Sequence, residues 1–259
     1  MDLVQLYESL SALKPADLTF WQDVFLKFYR AWFLNDRWVQ YFDGLATTVK
    51  VTVMALALGV VLGVVVAVIR TAYDQRRPGQ GSLLSRVILW IVNFICKLYV
   101  TVIRGTPMMV QLMIMGFVIF STSRNFTLVG ALSLGINSGA YVAEIIRGGL
   151  MSLDPGQSEA GRSLGLNYFD TMRFIVIPQA FKAILPSLGN EFIVLLKDTS
   201  LISVIGGKEI VYFAQAISSR TYEAMFPLII TAVMYLIMVL IFSWLQGKLE
   251  RRLRQSDRR

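Results

Sequence analysis

Glu191 lies in a largely apolar stretch, Ile175 to about Lys197, with Ser187 and Asn190 just before it and Pro186 and Gly189 alongside. A carboxylate in such a run needs a partner or a task, because an ionisable group inside a bilayer costs about 2.5–3.5 kcal/mol on insertion scales. It can line a pathway and contact the α-amino group or cationic side chain of a small solute. It can equally be a buried structural partner of Lys97, Arg104 or a neighbouring subunit, and the sequence leaves both readings open. Pro186 and Gly189 should loosen the helix and turn backbone groups toward a cavity. Glu144 and Arg147 are three residues apart, so they can pair along one helix face; that role is favoured for Glu144 over direct contact with a solute. Gln111 and Asn137 are uncharged hydrogen-bonding candidates for the same pathway. Lys197-Asp198 reads as a capped helix end or an external gate.

Other chemistry is poorly served. Histidine is absent and Cys96 is the one cysteine, which removes Ser-His triads, His ligation and an intrachain disulfide. No Asp-rich metal motif and no paired intramembrane carboxylates stand ready for acid–base work. No Gly-x-x-x-x-Gly-Lys-Ser/Thr phosphate loop occurs, so energy from a nucleotide would have to come through a partner. A membrane-embedded enzyme therefore finds little here, whereas a passive channel would share the apolar spans and conduct without ATP.

These residues must be positioned by membrane helices. Of the 259 residues 55% are apolar and 16% charged, against roughly 25% charged in a soluble domain. The net charge of +8 could suit nucleic acid, but the basic residues cluster between apolar runs. Phe226 to Trp244 carries no charge and, at 1.5 Å per residue, reaches about 28 Å, enough for a hydrocarbon core of roughly 30 Å. Val51 to Ile69 is equally clear and contains Gly59-x-x-x-Gly63, a small-residue face for close packing within the subunit or between subunits. Val87 to Phe120 is broken at Gly105-Thr106-Pro107, which predicts an amphipathic helix, a break, and then a span ending near Phe120. Leu128–Leu150 and Ile175 to about Lys197 complete five spans.

Arginine and lysine density sets orientation. The 70–86 connection holds Arg70, Arg76, Arg77 and Arg86, the 147–182 connection Arg147, Arg162, Arg173 and Lys182, and the tail Lys248 with five arginines, and five spans put all three on one side. They are expected to be cytoplasmic, with the N-terminus outside and the C-terminus inside. Residues 1–43 lack a basic start, apolar run and cleavage site, so they do not read as a signal peptide. Leu18–Leu34, aromatic but carrying Asp23, Lys27 and Arg30, reads as an interfacial helix on the outer face. The expected organisation is an extension over 1–43, one all-α membrane domain over 44–250 with a structured loop at 151–178, and a basic tail over 251–259 resting on anionic lipid.

That loop is the most informative stretch. Asp154 and Ser158 can each cap a helix, with Pro155 at a first helical position. Gly161 and Gly165, four apart, are expected on one helix face, where another surface can approach closely. Glu159-Ala160-Gly161, three residues, Gly165, nine residues, then Ile175-Val176-Ile177-Pro178 resembles the EAA loop of permease subunits of binding-protein-dependent ABC importers. It departs at Gly161, where the pattern has Ala, and at Ile177, where it has Leu. Arg104-Gly105-Thr106-Pro107, Gly139 to Gly149, Pro178-Gln179-Ala180 and Lys197 to Leu201 resemble the polar amino-acid branch, the histidine/glutamine-type permeases. The resemblance covers about residues 35–250.

It implies a type I ABC importer permease fold in the cell membrane and no enzyme activity or cofactor of the chain's own. Two permeases, identical or similar, would form the pore, and cytoplasmic ATP-binding subunits would grip Glu159, Ala160, Gly161, Leu164 and Gly165. An extracytoplasmic binding protein would deliver a polar amino acid, the basic ones among the candidates, and the spans would rock between inward and outward access. Glu191, Asn190, Ser187, Gln111 and Glu144 are the pathway candidates. The EAA loop does not fix the solute, so a permease of the same kind for another small solute is the alternative.

Overall fold

The computed structural model describes residues 2–76 and 82–256, and within them every regular element is a helix. The chain opens with α1 (Leu3–Ser11) and α2 (Phe20–Trp32). Asn35 and Asp36, both at positive φ, reverse the chain into α3 (Arg37–Asp74). Next come α4 (Leu83–Gly105), α5 (Met108–Met113) running into a π-helical turn (Ile114–Ile119), and α6 (Phe126–Met151). Two short helices, α7 (Pro155–Ser163) and α8 (Tyr168–Thr171), lead through a second π turn (Met172–Val176) into α9 (Ile177–Asp198). A 3₁₀ turn (Thr199–Ile205), α10 (Ile210–Thr221) and α11 (Met225–Ser256) complete the chain.

The centre of the bundle is the α3–α6 pair. A Cβ on Gly59 would meet Ser138 Oγ at 2.8 Å, and one on Gly63 would meet Val142 Cγ1 at 2.5 Å. The contact is reciprocal, since Gly135 and Gly139 of α6 take Leu58 and Leu62 of α3. The Gly59/Gly63 face is thus used inside this chain, and backbones approach closely because nothing projects between them. Val51, Ala55, Leu112, Leu134, Leu195 and Ile202 join α3, α5, α6, α9 and the 3₁₀ turn in one core.

Among the described residues four helices are long and apolar enough to cross a membrane: residues 34–74, 83–105, 126–151 and 225–253. Three contain expected spans. The fourth, α4, corrects the reading of Val87–Phe120. The break is where Pro107 requires it, but the piece of spanning length precedes it. The piece after it, Met108–Ile119, reaches only about 18 Å at 1.5 Å per residue. Lys97 made α4 look less apolar than it is; one exposed lysine can bury its stem and lead its ammonium toward the surface. α9 has the length of a span but not the composition, since Gln179, Lys182, Asn190 and Glu191 interrupt its apolar residues. The boundaries also move. α3 begins at Arg37, inside the expected 1–43 extension, and α11 runs on through 256, so the expected 251–259 tail is mostly helix. Arg77 and residues 257–259 lie outside the described residues.

Candidate functional site

The loop between α6 and α9 is built as its caps dictate. Asp154 accepts a 2.8 Å hydrogen bond from the Gly156 amide, and Pro155 occupies the first turn of α7, where its missing N–H leaves nothing unsatisfied. α7 ends at Ser163. The Gly165 amide donates to Arg162 O (3.0 Å) and the Leu166 amide to Gly161 O (3.1 Å), with Gly165 at φ +81°. This is a Schellman stop, which needs a residue free to adopt the left-handed conformation.

Gly165 therefore lies past the end of α7, and the expectation that it shares a helix face with Gly161 is wrong. Spacing showed two glycines four apart and could not show that the helix ends between them. Gly161 itself is buried, with a Cβ there meeting Ile175 Cδ1 at 2.9 Å and Thr171 Cγ2 at 3.0 Å. Its closeness serves the packing of α7 on α8 and the following π turn. Glu159, Ala160 and Leu164 are exposed, Leu164 at 80%.

The sequence reading missed what surrounds them. Phe169 is 81% exposed and meets the ring of the exposed Tyr168 edge-on at 6.0 Å, so an apolar patch lies a few residues beyond Leu164, with Phe174 also exposed. Patches of this kind mark a binding surface more often than chance. Two hydrogen bonds tie the loop down: Tyr168 OH to Gln75 Oε1 at the end of α3 (2.8 Å), and Gln179 Nε2 of α9 to Gln157 Oε1 of α7 (3.0 Å). Between α3, α6 and α7 lies a cavity of about 1230 Å³ lined by Gln75, Arg147, Asp154, Glu159 and Tyr168. Aromatic residues in a polar loop were the available signal.

Inside the bundle, two successive residues of α6 reach to opposite neighbours. Asn137 Nδ2 donates to Gln111 Oε1 (3.0 Å), and Ser138 Oγ donates to Glu191 Oε1 (2.8 Å). Glu191 is buried, and no ion pair among the described residues reaches it. Arg104 turns instead to Glu144 Oε2 at 3.7 Å and to the ring of Tyr141. Ser187 and Asn190 are exposed on the adjoining face of α9, not gathered around Glu191. Gln111 has a second occupation. Its Nε2 donates to Ile103 O (2.7 Å), Thr106 Oγ1 (2.7 Å) and Thr106 O (3.1 Å). It thereby satisfies carbonyls left free where α4 breaks.

Glu144 pairs with Arg147 at 3.5 Å, as the spacing predicted. It also holds Arg70 of α3 and, as above, Arg104 of α4, so one carboxylate clasps three helices. Those partners are far away in sequence, and periodicity along one helix gives no sign of them.

Residues 80–255 match the family described as binding-protein-dependent transport system inner membrane component. The chain is 36% identical over 220 residues to the arginine transport system permease protein ArtQ of Bacillus subtilis (strain 168), covering 83% of this chain and 93% of that one. It is 40% identical over 169 residues to the glutamine transport system permease protein GlnP of Escherichia coli (strain K12), covering 64% and 77%. Among solved structures, the crystal structure of an amino acid ABC transporter with histidines matches at 41% identity and TM-score 0.72, over 82% of this chain and 94% of that chain. The inward-facing methionine ABC transporter MetNI matches at 17% identity and TM-score 0.68, over 85% and 98%, a likeness of fold. The fold is that of type I ABC importer permeases, multi-pass in the membrane, and the chain belongs to the family of binding-protein-dependent transport system inner membrane components.

Proposed function

We propose that this chain is a pore-forming subunit of an ATP-driven importer that carries a polar amino acid across the cytoplasmic membrane by alternating access. The observation that carries the reading is the exposed face of α9. Ala183, Ser187, Asn190, Val194 and Lys197 follow one another at steps of three and four, so they share one face, and all are exposed in the single chain. A span-length helix does not turn Ser, Asn and Lys toward hydrocarbon. That face suits a water-lined pathway or a second permease, identical or similar, across it. Glu191, at the edge of the same face and with one oxygen engaged by Ser138, is placed to receive an α-amino group or a cationic side chain. Arginine and glutamine, the solutes named for the relatives, are the first to test.

Five crossing elements follow: α3, the broken α4–α5 unit, α6, α9 and α11. They put the N-terminus outside and the α6–α9 loop in the cytoplasm, in keeping with its arginines. There Glu159, Ala160, Leu164 and the neighbouring apolar patch meet ATP-binding subunits, Gly161 holds α7 against α8, and Gly165 ends α7. ATP hydrolysis belongs to those partners, and an extracytoplasmic binding protein delivers the amino acid. The test is purification of the tagged chain from its own membranes in mild detergent. Recovery of a P-loop ATPase that is lost with Leu164→Asp supports the reading, and recovery of a lone oligomer without ATPase activity overturns it.

A further inference from the structure

The family match begins at residue 80, well after α1 and α2. α2 has three faces. Leu26 and Tyr29 are buried, Tyr29 stacking on Tyr7 of α1 with centroids 4.4 Å apart. Asp23, Lys27 and Arg30 form a charged edge, with Lys27 Nζ 2.7 Å from Asp23. Trp21, Phe25 and Phe28, at steps of four and three, form the remaining stripe, in which Trp21 is 76% exposed.

The level of this stripe relative to the membrane is fixed by its contacts. Phe28 meets Phe226, the second residue of the α11 span, edge-on at 6.1 Å. Lys27 lies 3.8 Å from Glu223 in the turn before that span. α2 therefore sits where α11 leaves the hydrocarbon core. This is the end remote from α7, because α9 starts beside the α7–α8 loop and finishes in the 3₁₀ turn next to α10. The stripe also has a second exposed aromatic pair close by. Trp38 and Phe42, one turn apart at the start of α3, are both exposed, and the ring of Trp32 at the end of α2 lies 6.3 Å from that of Phe42.

We propose that α2 is a membrane-interface anchor whose Trp21–Phe25–Phe28 stripe rests in the lipid headgroup layer opposite α7, extending the aromatic belt of Trp38 and Phe42. Trp and Tyr favour that layer because an apolar ring and a polar edge are both accommodated there. An amphipathic helix with a charged edge lies flat in it. Through Lys27 and Phe28 the anchor holds the α10–α11 turn at the membrane surface.

The test uses the full chain in phosphatidylcholine–phosphatidylglycerol vesicles. Spin labels are placed by Trp21→Cys and, as an aqueous reference, Asp17→Cys, in a Cys96→Ala background. At position 21 oxygen collisions should exceed those of a water-soluble nickel chelate, reversing the ratio found at position 17. A second measurement keeps Cys96. Brominated lipid should quench wild-type tryptophan fluorescence more than that of Trp21→Phe. A position-21 label as accessible to the chelate as position 17, or one shielded only after partner proteins are added, overturns the proposal. So does equal quenching of wild type and Trp21→Phe.

Discussion

Ser138 Oγ donates a 2.8 Å hydrogen bond to Glu191 Oε1, joining α6 to α9 at a place where Gly59 of α3 presses against α6. A Cβ on Gly59 would strike Ser138 itself, so the hydroxyl that engages the buried carboxylate is held in place by a glycine on a third helix.

Glu191→Gln keeps an acceptor for Ser138 and should leave the fold intact while removing the charge. A charge-assisted hydrogen bond exceeds a neutral one by about 1.4 kcal/mol, close to tenfold in affinity. Uptake of arginine should therefore fall about tenfold, and binding-protein docking should be unchanged. Radiolabelled uptake alongside a docking assay decides it; equal uptake by a stable variant removes Glu191 from the pathway.

Gly59→Leu should disrupt the α3–α6 contact. Overpacking typically costs about 1–3 kcal/mol, and here the added side chain meets Ser138 as well as the Gly139 backbone. The expected result is a lower unfolding midpoint by fluorescence-detected size exclusion in detergent. Gly105→Ala, where an added Cβ meets nothing, serves as the control.

Gly165 offers a test of the α7 stop. A Cβ there meets nothing within 4 Å, so steric clash is not the issue; φ of +81° is. Gly165→Ala should cost about 1 kcal/mol at that turn, and Gly165→Asn less, because Asn tolerates the left-handed conformation better. Transport-coupled ATPase activity ranked glycine, asparagine, alanine is the expected order; equal activity of all three would show that the cap does not matter for coupling.

Glu209, the N-cap of α10, is fully buried in the connection between α9 and α11. Burial pushes its carboxyl up to about 7, against the opposing hydrogen bonds from backbone amides of α10 and the Tyr235 hydroxyl. The folded state thus holds a proton that the unfolded state has released. Its contribution to stability is complete below the ordinary carboxylate range, falls as pH rises from there to about 7, and is level above. Thermal unfolding of wild type should show this decline and Glu209→Gln should flatten it; parallel curves would contradict the assignment.

Much of this was legible locally. Asp154-Pro155 announced the start of α7, the Glu144–Arg147 spacing announced a pair, two uncharged runs announced two spans, and the apolar run Leu128–Leu150 announced a third. What was not legible depends on distant chain. Arg70 and Arg104 converge on Glu144 only after α3, α4 and α6 pack, and Gly59 finds Ser138 by the same route. The end of α7 was misjudged because helical periodicity says where side chains point, not where the helix stops. α9 read as a span by length, yet its polar face makes sense only beside something other than lipid.

The central claim is most directly tested by uptake into proteoliposomes that hold this chain with its co-purified ATPase, binding protein outside and ATP within. Accumulation of labelled arginine or glutamine that requires both internal ATP and the binding protein, and that Leu164→Asp abolishes, is the predicted result. Solute passage that proceeds equally without ATP would make the chain a passive pore and contradict the account.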